Sequence, residues 1–97
     1  MLRVLEDSKD FADEPKDPWF LYIVECKDGS FYTGITKDLK RRIKMHNEGK
    51  GAAFTRSRRP VEMIYQELVS SRARALVREF KVKALSRKQK EALVGFL

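Results

Sequence analysis

The sequence predicts a single α+β domain with element order β-β-α-β-α-α, a small sheet flanked by helices. Three observations predict it. Two aromatic and β-branched runs are separated by Lys27-Asp28-Gly29, a third such run spans Val61 to Val69, and amphipathic stretches follow the second and third runs. Ninety-seven residues suffice for one compact domain and are too few for two large lobes with a cleft between them. Any site must therefore be built on the surface of one scaffold.

Residues 1–18 are acidic and contain Pro15 and Pro18, which reads as a flexible or loosely docked tail and leaves 19–97 as the folded body. Trp19 to Cys26 and Ser30 to Thr36 form a hairpin, and its register matters chemically. A two-residue Asp28-Gly29 turn would oppose Glu25 to Tyr32 and send Tyr22 and Tyr32 to opposite faces. A three-residue loop with a left-handed Gly29 instead opposes Val24 to Tyr32 and Tyr22 to Gly34, placing both phenols on one face. The glycine at the third loop position favours this second form.

Lys37 to Asn47 reads as a short helix capped by Thr36 or Asp38. Leu39, Ile43 and His46 follow i, i+4, i+7, and Arg42 falls four residues before His46, so Arg42 and His46 project from neighbouring positions. Glu48 to Pro60 reads as a loop with Gly49, Gly51 and several cations. After the third strand, Ser70 or Ser71 caps a helix reaching about Leu85, with Ala75, Leu76, Phe80 and Ala84 expected on its buried side. Ser86-Arg87-Lys88-Gln89 has capping-box spacing and opens a last helix carrying Ala92, Leu93 and Phe96.

Charge divides sharply along the chain. Residues 1–18 hold three cations against six carboxylates, a net −3, whereas 19–97 hold 18 Lys and Arg against 8 Asp and Glu, a net +10. A body this positive attracts polyanions. The longest apolar run, Trp19 to Val24, is far short of the roughly 20 residues that cross a bilayer, so no membrane span is expected. Residues 1–11 lack the long apolar stretch of a secretory signal. Cys26 is alone, which excludes an internal disulfide and fits a cytoplasmic location. One Cys and one His are too few for a structural zinc finger.

The pattern offers an anionic substrate several groups. Tyr22 and Tyr32 come from adjacent strands, Gly34 allows close approach near the end of the second strand, and Arg42 and His46 come from the helix that follows. An arginine can hold two phosphate oxygens in a rigid fork and offset charge developing at phosphorus. A tyrosine or the histidine can accept or relay a proton from attacking water. Glu79, the one carboxylate of the long helix, sits beside Phe80, where it could hold a divalent ion. Each group also has a plainer role: the tyrosines as packing residues, Arg42 as one of a solvated run of cations, His46 as a helix end satisfied by a carbonyl, Glu79 as the i+4 partner of Lys83.

Taken in order, these residues resemble a GIY-YIG nuclease domain, and in particular its small stand-alone, UPF0213-like bacterial members. The first motif looks like Phe20-Leu21-Tyr22 and the second like Tyr32-Thr33-Gly34, continuing to Arg42 and then His46-Asn47. The stretch from Gly49-Lys50-Gly51-Ala52 through Thr55 to Arg58-Arg59-Pro60, and Ala75 with Arg78-Glu79, look typical of the stand-alone group. Two positions depart from the pattern: Phe20 stands where the first motif has glycine, and Thr33 where an apolar β-branched residue is usual.

The resemblance spans about residues 19 to 95 and implies a three-stranded antiparallel sheet flanked by helices. It implies hydrolysis of DNA phosphodiester bonds, in branched or damaged DNA processing, with one divalent ion, Mg2+ or Mn2+. Tyr22 would be the leading general base or water-orienting group, Tyr32 would line the site with it, and Arg42 would clamp the phosphate. His46 would move a proton or position the phosphate, and Glu79 would bind the metal. Lys37, Arg41, Lys50, Arg56, Arg58, Arg59, Lys81 and Lys83 would meet the DNA backbone, while Gly29 and Gly34 would serve structure. Larger relatives carry additional domains that select the substrate; here a protein partner could supply that selectivity. A non-catalytic nucleic-acid-binding module on the same scaffold is the alternative.

Overall fold

In the computed structural model the residues described are 17–95. The acidic tail, apart from Asp17 and Pro18, and the expected docking of Phe96 lie outside them. Strands β1 (Trp19–Cys26), β2 (Phe31–Thr36) and β3 (Val61–Val69) form one antiparallel sheet in the order β2-β1-β3. Helix α1 (Leu39–Asn47), a single turn α2 (Ala53–Arg56), α3 (Arg72–Lys83) and α4 (Arg87–Val94) complete the fold.

The hairpin takes the three-residue form. Tyr22 opposes Gly34 and Val24 opposes Tyr32, and Gly29 adopts φ +86°, a conformation that a side chain would strain. The Asp28 carboxylate accepts from both the backbone N–H and the hydroxyl of Ser30, which fixes the turn. On the other side of β1, pairing with β3 slips between Ile23 and Val24, where Ile64 is the extra residue of a bulge.

The sheet buries both faces. Tyr22, Val24, Cys26 and Val61 pack with Tyr32, Leu39, Ile43 and Met63 on the face that carries α1. Leu21, Ile23 and Val82 pack on the other with Phe31, Ile35, Tyr65, Leu85 and Leu93, beneath α3 and α4. Of the alternative caps, Asp38 serves α1 and Ser71 serves α3, each accepting a backbone N–H three residues on. Ser86 and Gln89 form the expected reciprocal capping box of α4.

Two expectations are corrected. The stretch expected to be loop from Glu48 to Pro60 contains the α2 turn. The buried side of α3 is Ala75 and Val82, with Arg78 and Glu79 half-buried; Leu76 is 40% exposed, Phe80 76% exposed, and Ala84 is also exposed. The stripe that meets the sheet runs seven residues from Ala75 to Val82, two helical turns on one face, and this displaces Leu76 and Phe80 outward. Glu79 therefore turns inward from the rim.

Candidate active site

The centre of the site is His46, at the last turn of α1, with no exposed surface. Its Nε2 lies 2.8 Å from the hydroxyl oxygen of Tyr22, and its Nδ1 lies 2.8 Å from Oγ1 of Thr55. Both tyrosine rings meet the imidazole edge-on, at centroid distances of 5.9 Å for Tyr22 and 5.4 Å for Tyr32. The hairpin register makes this possible, because residues two apart on β1 and their partners on β2 share a face. Gly34 supplies the space: a Cβ there would stand 2.6 Å from the Tyr22 hydroxyl oxygen.

The two phenols differ in access. Tyr22 is fully buried, whereas Tyr32 is half-buried, with Phe54 stacked on it at 6.0 Å and the Lys83 ammonium 5.9 Å from its ring centre. Burial raises the Tyr22 hydroxyl above the ordinary phenol range. The Arg42 guanidinium opposes that rise, and Tyr32 and Glu79 add to it. Three groups from three elements thus act on one hydroxyl. Burial, with the Arg42 charge adding, lowers the proton affinity of His46 and favours its neutral form.

Arg42 is half-buried, and its buried Nε has no hydrogen-bond partner among the described residues. An unpaired guanidinium N–H is costly to bury, and an anion beside it would relieve that cost. Arg42 also borders a shallow cleft of about 380 Å³ with Trp19, Thr36, Lys37 and Arg41. Glu79 is paired with Lys83 at 3.3 Å, so the plainer role foreseen for it is present in the structure. Among the described residues no group of three His, Cys, Asp or Glu could hold a metal, which leaves Glu79 as a lone carboxylate whose charge reaches the Tyr22 hydroxyl. An oxygen donor of this kind suits a hard cation that keeps most of its waters.

The expected backbone-binding cations divide. Arg41, Lys50 and Arg56 are exposed. Lys37 pairs with Asp17 at 2.7 Å. Arg58 binds Asp28 and the Phe54 carbonyl and lies 4.0 Å from the Phe54 ring centre, and Arg59 donates to the carbonyls of Arg56 and Asn47. These two arginines hold the α2 segment in place. Lys81 lines a separate groove with Leu68, Val69 and Val77.

Two residues that the motifs include were given no role by the sequence reading. Thr55 reads as part of a polar loop, yet it is completely buried against His46. Asn47 bridges the start of β3, its side chain accepting from the Val61 N–H at 2.7 Å and donating to the Val61 carbonyl at 3.1 Å, and so fixes the end of α1 to the sheet. The signal for Thr55 was its short separation from His46 across glycines.

The family model of the GIY-YIG catalytic domain matches residues 18–92. The chain belongs to the GIY-YIG family. A GIY-YIG domain is a nuclease-family domain, and this one is similar throughout to small stand-alone proteins. UPF0213 protein SSP2268 of Staphylococcus saprophyticus is 49% identical over 79 residues, covering 81% of this chain and 96% of the relative. A UPF0213 protein of Staphylococcus aureus is 46% identical over 78 residues, covering 80% and 95%. Among solved structures, the solution structure of UPF0213 protein BH0048 from Bacillus halodurans is 48% identical, with a TM-score of 0.54 over 81% of this chain and 84% of that one. The solution structure of EF2693 from E. faecalis is 43% identical, with a TM-score of 0.58 over 87% and 90%. The sheet and flanking helices are therefore those of the GIY-YIG domain.

Proposed function

We propose that this GIY-YIG domain is a divalent-metal-dependent endonuclease that hydrolyses DNA phosphodiester bonds. The observation that carries the reading is the buried Nε of Arg42, without a hydrogen-bond partner among the described residues, one helical turn from the enclosed His46–Tyr22 pair. Arg42 binds the scissile phosphate and offsets the charge that grows on its oxygens. Tyr32, the phenol with exposed surface, faces the attacking water; Tyr22 lies beneath it and shares its proton with His46. Glu79 would hold Mg2+ or Mn2+, which polarises phosphate oxygens when bound, and the pairing with Lys83 must open for that. Arg41, Lys50 and Arg56 take neighbouring phosphates, and branched or damaged DNA in the cytoplasm is the substrate class that fits the reading.

Incubation with nicked, flapped, branched and single-stranded DNA plus Mg2+ or Mn2+ tests this. Cleavage is expected, falling about 10²- to 10³-fold in each of Arg42→Ala and Glu79→Ala, the usual cost of losing one group that meets the transition state. No cleavage at protein excess, or cleavage by both variants equal to that of the wild type, rejects it.

The Glu79–Lys83 pair also favours a second reading, a nucleic-acid-binding module without catalysis. That reading expects strongly salt-dependent DNA binding that survives Glu79→Ala and weakens when Lys50 and Arg56 are removed.

A further inference from the structure

The segment from Gly51 to Thr55 does more than present cations. It lies against the imidazole edge of His46 opposite Tyr22, and a Cβ on Gly51 would stand 2.2 Å from Nδ1, so glycine is needed for that approach. Thr55 Oγ1 lies 2.8 Å from His46 Nδ1 and 3.0 Å from the carbonyl oxygen of Ala52. Both Thr55 and His46 are completely buried. In such a place the donors and acceptors must match.

A threonine hydroxyl has one proton, and a carbonyl can only accept. The Thr55 proton is therefore directed to Ala52, and Oγ1 faces Nδ1 as an acceptor. Nδ1 must then carry the hydrogen. In a neutral imidazole Nε2 is left as the acceptor, so the Tyr22 hydroxyl donates across its 2.8 Å contact. With its only proton so directed, the phenol oxygen turns only lone pairs to any further donor. The opposite tautomer reverses these steps: Nε2–H would donate to the phenol, and Thr55 would have to give its proton to Nδ1 and leave its bare oxygen 3.0 Å from the Ala52 carbonyl oxygen.

We propose that Thr55 is a positioning residue: anchored on the Ala52 carbonyl, it holds neutral His46 in the Nδ1–H form, which makes the Tyr22 hydroxyl the donor to Nε2 and leaves the phenol oxygen as an acceptor for the site. The assignment of the tautomer stands on the buried hydrogen bonds alone. The link to cleavage rests on the nuclease reading above.

His46 is the only histidine of the chain, so the imidazole nitrogens of uniformly 15N-labelled full-length protein report on it without ambiguity. At neutral pH the wild type is expected to show a protonated Nδ1 and an unprotonated Nε2. Thr55→Val keeps the shape and removes the acceptor; it is expected to mix or invert the tautomers and to lower cleavage of the best DNA substrate about 10- to 100-fold, the scale on which outer partners of a functional group act. Thr55→Ser restores the hydroxyl and should restore both signals. A wild-type imidazole protonated at Nε2 overturns the proposal, and that measurement needs no variant to fold. An unchanged tautomer in Thr55→Val overturns it as well, as does a tautomer shift with cleavage equal to wild type. If the wild type shows the expected tautomer but cuts no DNA, the nuclease reading fails and the positioning of His46 by Thr55 stands.

Discussion

His46 shows how burial converts one side chain into a condition on the whole fold. It is enclosed by Tyr22, Tyr32 and Thr55, with the Arg42 charge close by, and its proton affinity is lowered from the ordinary 6.5. The unfolded chain takes up a proton as pH falls through that ordinary value, and the folded chain resists until lower. Stability is complete above it and is lost as pH falls through the interval down to the folded value. Denaturant midpoints measured from about pH 7.5 down to about pH 5 should fall in the wild type and fall less in His46→Gln, because histidine titration dominates that range. Equal slopes in the two proteins would remove His46 from the account. The sequence identified His46 and its helical neighbour Arg42 through their spacing, but not Thr55. Nothing local marks a threonine in an arginine-rich stretch as buried; its environment is set by His46, nine residues earlier.

At the scale of elements, β1, β2 and their turn were fully legible, down to which residue opposes which. A single glycine with left-handed φ selects one of two registers, and the registers differ in a way that inverts a whole face. Helix α3 was legible in extent and not in rotation. Ala75, Leu76, Val77, Phe80 and Val82 are all apolar, so more than one stripe satisfies the helical period, and only packing against the sheet chooses. Val82→Ala should cost about 2 kcal/mol by the usual scale for buried methyls. Phe80→Ala, at an exposed position, should stay within about 0.5 kcal/mol. Chemical denaturation of the two variants checks this, and the reverse order would mean that the helix is turned. Thr33 belongs to the same scale: its buried hydroxyl has no partner among the described residues, and Thr33→Val should be neutral or stabilising by about 1 kcal/mol.

For the whole molecule, the 18 Lys and Arg of residues 19–97 overstate how many cations a polyanion meets. Arg58 and Arg59 close the α2 segment, Arg78 binds Glu67 through two nitrogens, and Arg87 binds Glu91 and the Gly29 carbonyl and lies 3.7 Å from the Phe31 ring centre. Composition cannot tell a cation committed to its own chain from one that faces outward, and partners such as Asp28 for Arg58 and the Gly29 carbonyl for Arg87 are distant in sequence. Among the described residues no helix is long and apolar enough to cross a membrane.

The sheet order places β1 between two antiparallel partners, with a helical layer against each face. Amide hydrogens of Leu21 to Val24 can reach deuterated solvent only when neighbouring strands separate as well, so their exchange reports the cooperative opening of the domain, while amides near the free edges exchange through smaller fluctuations. Tyr22 is thus carried by the last part of the chain to loosen.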